Sequence, residues 1–218
     1  MKRVKDNKNV EKVEDTSLLK EVWSFVKVFV ETAIVFFLFI NFIAHPVNVV
    51  GRSMDPNLKD GEFGFTSIIS LLIHGVERGD VVVVTMEDDN GKETHWVKRI
   101  VGMPGDTVEC KDDVVYVNGN PLDESQYINQ EYKESVVDEY GYFNKILMNY
   151  YDEDQEMTVV GVQDFESVTL ADDEYFVMGD NRIVSKDSRD PSVGPVKKDQ
   201  LFGKHVVVLF PFSEIGVE

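Results

Sequence analysis

The sequence predicts a mostly β fold, in which an N-terminal transmembrane helix precedes an antiparallel β domain that carries a small inserted lobe. Three observations support this prediction. Apolar side chains dominate residues 22–45, several β-branched runs follow with Asn-Gly turns, and residues 123–170 break the strand pattern. A chain of 218 residues can form one core and an anchor, which excludes a large multidomain enzyme.

The apolar segment 22–45 is predicted to be a transmembrane anchor. It carries no charge from Thr32 to Ala44, and residues 22–44 as a helix would span about 34 Å, enough to cross a bilayer core. A buried core helix is one alternative, because Lys27 and Glu31 interrupt the segment. A cleaved signal peptide is another, although Phe42-Ile43-Ala44 lacks the small residue expected two positions before a cut.

Residues 1–21 are polar and mix both signs of charge, which predicts a disordered tail. Lysine and arginine are frequent before the apolar segment, whereas only Arg52 and Lys59 follow soon after it. Positively charged flanks stay on the cytoplasmic side of a membrane. We therefore expect a single-pass protein of the cell membrane, with a cytoplasmic N-terminus and an extracytoplasmic body.

Six strands are predicted after the anchor. Asn90-Gly91 indicates a hairpin between the first two, and Asn118-Gly119 marks a turn after the fourth. The apolar connector 57–80 could either dip into a membrane or cover the core. The strands are predicted at 81–86, 93–101, 107–111, 114–117, 175–178 and 206–210, within a β domain formed by residues 46–122 and 171–218.

Residues 123–170 are predicted to form the inserted lobe. They are rich in acids and contain six of the eight tyrosines, so we expect a small aromatic core with a solvated acidic face rather than a partner site. The net charge of −18 argues against nucleic acid as a partner, since phosphate binding needs clustered cations. The single cysteine, Cys110, excludes an internal disulfide and is expected to be a half-buried strand residue.

The turn at residues 50–56 is the first candidate for chemistry. Gly51 permits backbone conformations that other residues avoid and Pro56 restricts the exit, so Ser53 would be held on a rigid turn. A serine hydroxyl becomes a good nucleophile only when a base takes its proton. The candidate bases are His45, His74, His95, His205 and Lys98.

Lys98 is the favoured base because of strand alternation. On an extended strand Trp96, Lys98 and Ile100 share one face. Such neighbours would desolvate the ammonium group and lower its pKa, so that the neutral amine could accept a proton near neutrality. A solvated strand lysine is the alternative. By the same alternation Ser185, Asp187 and Arg189 would share a face, where a serine could orient the lysine and an Asp/Arg pair could brace the site.

Three segments resemble the type I signal peptidases of Gram-positive-like type. Gly51-x-Ser53-Met54-x-Pro56 is similar to the family's nucleophile segment. Arg78-Gly79-Asp80, followed by Lys98-Arg99 and Gly102-x-Pro104-Gly105-Asp106, is similar to its lysine segment. The last segment is Met178-Gly179-Asp180-Asn181-Arg182-x-x-Ser185-x-Asp187-Ser188-Arg189.

The resemblance implies a membrane-bound Ser/Lys endopeptidase that removes signal peptides from exported preproteins after small residues, in an Ala-x-Ala-like pattern. Ser53 would be the nucleophile, Lys98 the general base, and Ser185 the residue that orients Lys98. No metal or organic cofactor is expected; the partners would be preprotein signal peptides and the lipid bilayer, and the sequence does not give an oligomeric state. Supporting roles are expected for Asp180, Arg182, Asp187 and Arg189, and backbone oxyanion donors at Gly51 and Ser53.

Three positions depart from the family pattern. Asn57 stands where threonine is common, Val184 where asparagine is frequent, and Gly51 where some relatives supply a hydroxyl group. One alternative is a Ser/Lys self-cleaving repressor, but such proteins lack a membrane span. The other is a signal-peptidase-like chaperone for surface-fibre assembly, which would be non-catalytic; such relatives lose the serine or the lysine, whereas this chain keeps Ser53 and Lys98.

Overall fold

The computed structural model describes residues 7–87, 90–152 and 157–217. The chain divides into two compact units, Met1–Ile43 and Ala44–Glu218. The described part of the first unit is a single long helix followed by Ile43. The second contains the sheets and all of the predicted site residues.

Helix α1 runs from Asn7 to Phe42. Its stretch Leu18–Ile40 has a mean hydropathy of 2.0 and none of it is buried, so the helix is long and apolar enough to cross a membrane. The prediction of disorder before residue 22 is wrong for residues 7–21, because lysine and glutamate are good helix formers and an established helix extends at little cost. The helix ends at Phe42, and Ala44 and His45, which the predicted anchor included, belong to a strand.

The second unit is built mostly from antiparallel strands, as predicted. The large sheet has the order β1-β2-β13-β3-β4-β11-β12, with β14 paired to β13. Its members are β1 Ala44–Asn48, β2 Phe63–Ser67, β3 Val81–Glu87, β4 Glu93–Gly102, β11 Glu174–Met178, β12 Val196–Lys197, β13 Leu201–Phe210 and β14 Gly216–Val217.

Burial on both faces marks the centre of the large sheet. Val81, Val82, Val83 and Val84 on β3 are all buried, which explains why that run shows no polar alternation. In the β3–β4 pairing Val82 lies opposite Lys98. This register places Lys98 in the middle of the sheet rather than at its rim.

A second sheet has the order β10-β5-β6-β7, and β8 and β9 form a separate hairpin. Cys110 on β5 is buried in the core, more deeply than predicted. Burial, with the Asp164 carboxylate 3.3 Å from its sulfur, raises the pKa of the Cys110 thiol to about 12. These strands are β5 Thr107–Lys111, β6 Val114–Val117, β7 Asn120–Pro121, β8 Ile146–Asp152, β9 Met157–Gln163 and β10 Val168–Thr169.

The predicted strands are all present, and only one of them differs from its predicted bounds by more than one residue. β13 begins at Leu201, five residues before the predicted start at 206. Its first half was not predicted because Gly203 and Lys204 interrupt the apolar, β-branched pattern of the strand. The connector 57–80 contains β2 and helix α2, Ile68–His74. Helix α2 exposes Leu72 and Ile73. Short 3-10 turns lie at Lys198–Gln200 and Phe212–Glu214.

The segment 123–170 contains helix α3, Gln130–Tyr140, in addition to β8, β9 and β10. Ile128, Val136 and Phe143 form a small buried cluster, against which two tyrosines pack. Ile183 packs on the same cluster, although it lies outside the segment in the sequence. The segment is therefore packed against the chain near residue 183.

Candidate active site

The turn that carries Ser53 is fixed on both sides. Gly51 has a φ of +87°, a backbone conformation that side chains with a Cβ avoid, and its N–H donates to the Asp60 carboxylate at 2.7 Å. The carbonyl oxygen of Ser53 accepts from the Asn181 N–H at 3.1 Å. Met54 is buried in the core just after the serine. The predicted rigid turn is thus present.

Lys98 lies beside this serine. Its Nζ is 2.9 Å from Ser53 Oγ and 3.0 Å from the carbonyl oxygen of Val97. The ammonium group lies 5.6 Å from the centre of the Trp96 ring, in agreement with the predicted shared face. Lys98 is only 4% exposed, and burial lowers its pKa to about 8 against the opposing charge of Asp187. A neutral amine is therefore accessible near neutrality.

His95 lines the cavity that holds Ser53, but no hydrogen bond joins any of the described histidines to Ser53. His45 and His95 both contact the Phe202 ring, with centroids 4.8 and 4.6 Å apart. Burial lowers the pKa of His45. Within the described residues Lys98 is the one candidate base that hydrogen-bonds Ser53.

The last predicted segment, residues 178–189, is called the third segment here. Residues 181–194 form turns, so the strand alternation used to group Ser185, Asp187 and Arg189 is wrong. Asp187 and Arg189 nevertheless pair, with Arg189 Nε 2.8 Å from the carboxylate, which also accepts from the Gly179 N–H at 2.9 Å. Burial would raise the pKa of Asp187, but the charge of Arg189 holds it below its usual value.

Ser185 lies close to the nucleophile turn without bonding to Lys98. Its Oγ is buried, and the hydroxyl lies near enough to Asp187 to help lower the pKa of that carboxyl. A Cβ at Gly179 would clash with both the Ser185 side chain and the Ser53 carbonyl oxygen. Glycine at 179 is what lets these two elements approach, and the orienting role of Ser185 stays a prediction.

Asp180 links all three segments. Its fully buried carboxylate accepts from Arg99 Nε at 2.8 Å and from Asn57 Nδ2 at 2.7 Å. The same Asn57 amide donates to the carbonyl oxygen of Tyr127 at 2.8 Å, and the Arg99 guanidinium lies 4.3 Å from the Tyr127 ring centre. Asn57 is not among the site residues predicted from the sequence. Its position directly after Pro56, next to the serine turn, is the feature of the sequence from which a role for Asn57 could have been predicted.

Arg182 is buried and faces the inserted segment. Its Nε donates to the carbonyl oxygen of Gly179 at 3.0 Å, and its two other nitrogens donate to Glu124 and Asn144. Arg189 also donates to the backbone oxygen of Asn144. Sequence reasoning missed Glu124 and Asn144 because it assigned the acids of this segment to a solvated face.

The two predicted oxyanion donors differ in availability. The Gly51 N–H donates to the Asp60 carboxylate and is therefore not available to an oxyanion in this structure. The contribution of Gly51 that the structure shows is its positive φ, which shapes the turn. The Ser53 N–H donates to no residue that the structure describes. Only the second remains free to stabilise an oxyanion.

Two of the cavities that adjoin the third segment share the side chain of Lys186. One of about 190 Å³ contains Ser53 and Lys98 and is walled by Val49, Val50 and Trp96. The other, of about 260 Å³, lies between the third segment and the start of β8. Lys186 lines both.

Comparison with known proteins places this geometry in context. The family described as "Signal peptidase, peptidase S26" matches residues 22–210. The chain is 36% identical to signal peptidase I S of Bacillus subtilis over 204 residues, 94% of this chain and 97% of the relative. It is 36% identical to signal peptidase IB of Staphylococcus aureus over 197 residues, 89% of this chain and 93% of the relative. A solved signal peptidase I from Enterococcus faecalis is 29% identical with a TM-score of 0.38, covering 59% of this chain and 94% of that one.

Proposed function

The chain belongs to the signal peptidase family, peptidase S26, and from this premise we propose that it is a membrane-anchored serine endopeptidase that removes signal peptides from exported preproteins with a Ser53/Lys98 dyad. The observation that carries the proposal is the 2.9 Å hydrogen bond between Lys98 Nζ and Ser53 Oγ. A chain that keeps this pair does not fit the non-catalytic chaperone considered as the alternative.

The dyad acts when Lys98 is neutral. The Ser53 hydroxyl then donates to the amine, which takes the proton as Oγ attacks the scissile carbonyl carbon. The Ser53 N–H stabilises the oxyanion of the tetrahedral intermediate. The lysine ammonium returns its proton to the leaving amine of the mature protein, and a water activated by the same amine hydrolyses the acyl-enzyme.

Buried ion pairs hold the dyad in place. Arg189 fixes Asp187, and Asp187 in turn holds the backbone N–H of Gly179 beside Ser185 and Ser53. Arg99 and Asn57 fix Asp180 below the serine turn. Since Lys98 already donates to Val97 O, we assign Ser185 the role of a second positioning group for the amine once a substrate is bound.

The cavity at Ser53 is small and partly apolar. Its volume of about 190 Å³ and its walls at Val49, Val50 and Trp96 support a preference for small side chains before the cut. An extended signal peptide lying beside Val49 and Val50 would present its first and third residues before the cut to this cavity. An Ala-x-Ala-like pattern follows.

The location follows from helix α1. Its apolar stretch Leu18–Ile40 would cross the cell membrane, with the lysine-rich N-terminus in the cytoplasm. The second unit would then lie outside, where exported preproteins emerge.

The test is cleavage of a preprotein by the full-length protein in detergent micelles, with the cut site read by mass spectrometry. The wild type should cut after a small residue, and Ser53→Ala should abolish cleavage. Ser192→Ala, at an exposed serine, is the matched control and should cut normally. Cleavage by Ser53→Ala at the wild-type rate would contradict the proposal.

A further inference from the structure

The second cavity adjoins the nucleophile through one side chain. Lys186 lines the cavity that holds Ser53 and Lys98, and it also lines the cavity of about 260 Å³ between the third segment and the start of β8. Tyr142, Lys145 and Val184 form part of the second cavity's wall. A polypeptide passing over Ser53 can therefore continue into it.

Three of the six charged residues that line the second cavity are held in buried ion pairs. Arg182 is paired with Glu124, and Arg189 with Asp187. The remaining carboxylate, Asp190, accepts the N–H of Ser192 at 2.8 Å and keeps its negative charge.

Lys145 and Lys186, by contrast, form no salt bridge to any residue in the described ranges. The charge of Lys145 acts on Asp164 at longer range, whereas Lys186 is exposed. The ammonium groups of Lys145 and Lys186 outnumber the one carboxylate, Asp190, that is left in this cavity. Two unpaired ammonium groups thus line one cavity in a chain whose net charge is −18. Such a site attracts negative side chains.

The direction of the substrate decides which residues reach this site. Lys186 lines the same cavity as Val49, Val50 and Trp96 and is the residue of that lining that also reaches the second cavity. If the residues before the cut lie against Val49, Val50 and Trp96, those after the cut would leave Ser53 past Lys186. Lys186 is the side chain that they meet there. A cavity of about 260 Å³ holds one or two side chains.

We propose that the second cavity binds the first residues of the mature protein, and that Lys186 and Lys145 make it select acidic side chains at those positions. This inference rests on the proposed function. Lys186 contributes more than Lys145, because Asp164 offsets part of the charge of Lys145.

The experiment uses the full-length protein in detergent micelles with three preprotein peptides. They share one signal sequence and differ only in the second and third residues after the cut, which are Ala, Glu or Lys. We expect kcat/KM for the Glu peptide to exceed that for the Lys peptide about tenfold at low salt, with the Ala peptide between them. The ratio should shrink as the salt concentration rises.

The variants are compared by the same ratio, which cancels any general loss of activity. Lys186→Gln should reduce the Glu/Lys ratio to roughly two- or threefold, and Lys186→Glu should invert it. Lys186→Arg, which keeps the charge, should preserve the ratio. Lys198→Gln is the matched control, since Lys198 is exposed and lines neither cavity, and it should leave the ratio unchanged.

Three outcomes would overturn the inference. Equal kcat/KM for the Glu and Lys peptides, with the Ala peptide still cut, would remove the site and leave the proposed function standing. A tenfold ratio that persists in the Lys145→Gln/Lys186→Gln double variant would place the selectivity elsewhere. Failure to cut any of the peptides would reject the proposed function together with the inference.

Discussion

Two opposing demands meet at Lys98. Burial among Trp96 and the strand neighbours makes its charged form unfavourable, which costs folding free energy. The same burial lowers its pKa to about 8 and so supplies the neutral amine that the proposed chemistry needs. Stability and catalysis should therefore respond to this one residue in opposite directions.

The pH dependence of cleavage follows from this pKa. Because only neutral Lys98 can accept a proton, kcat/KM should fall about tenfold for each pH unit below the pKa and level off above about 8. Lys98→Arg should be inactive, since a guanidinium stays charged. The measurement is a pH profile of preprotein cleavage.

His74→Gln serves as the control for the pH profile, because His74 lies in the last turn of α2 and does not line the cavity that holds Ser53 and Lys98. It should retain the wild-type profile. A midpoint near 6.5 that disappears when a histidine is replaced would transfer the role of base to that histidine.

Stability should change in the opposite sense. Lys98→Met removes a buried amine whose pKa is lowered to about 8. At pH 7 the unfolding free energy of the variant should therefore exceed that of the wild type by at most roughly 3 kcal/mol, and its melting temperature should be higher. The penalty on the wild type is complete below pH 8 and is relieved as pH rises toward the unfolded value of about 10.4, because the unfolded chain then binds more protons. Thermal melts at pH 7 and pH 10 measure this.

Groups that both proteins share cancel in that comparison. An advantage of Lys98→Met that stays the same at pH 7 and pH 10 would mean that the charge of Lys98 is not what burial penalises.

At the scale of elements, hydrogen bonds to the inserted segment hold the third segment in place. Arg182 reaches Glu124 and Asn144 there, while its Nε supports Gly179 next to the serine turn. The acidic insertion therefore contributes a buried brace in addition to its solvated face.

Removing one charge of this brace should be destabilising. Glu124→Gln leaves the buried Arg182 guanidinium without its counter-ion, and we expect a loss of about 3 kcal/mol in unfolding free energy. The double variant Glu124→Gln/Arg182→Gln should lose less than the sum of the two single variants. Asp138→Asn, an exposed acid on α3, is the control and should melt with the wild type.

Additive effects of Glu124→Gln and Arg182→Gln in thermal melts would mean that the two groups do not stabilise each other. A normal melting temperature for Glu124→Gln alone would have the same meaning.

The sequence predicts elements well where one strand's own pattern decides them. β3 is apparent from its valines, and Lys98 is placed beside Trp96 by strand alternation. The failures have two physical causes. Residues 181–194 are turns, to which strand alternation does not apply, and Asn57 acquires its role from Asp180, 123 residues away in the chain. No local pattern encodes such a partner.

For the whole molecule, orientation in the membrane is the property that decides where cleavage occurs. Helix α1 carries Lys27 and Glu31 as a pair 3.7 Å apart within its apolar stretch. Pairing charges in this way reduces the cost of placing them in a bilayer. Lysines before the stretch predict that the N-terminus stays inside.

Labelling with a membrane-impermeant maleimide can test this orientation in intact cells. Ser192→Cys, in the exposed part of the second unit, should be labelled from outside. Thr16→Cys should be labelled only after the cells are permeabilised. The reverse pattern would contradict the predicted topology.

The burial of Cys110 makes such experiments unusually clean. Maleimides react with thiolates, and a thiol that is buried with a pKa of about 12 forms almost none at neutral pH. The natural protein should therefore not react with these reagents as long as it stays folded. Any single introduced cysteine can report from its own position without removal of the native one, and the appearance of label on Cys110 would itself signal unfolding.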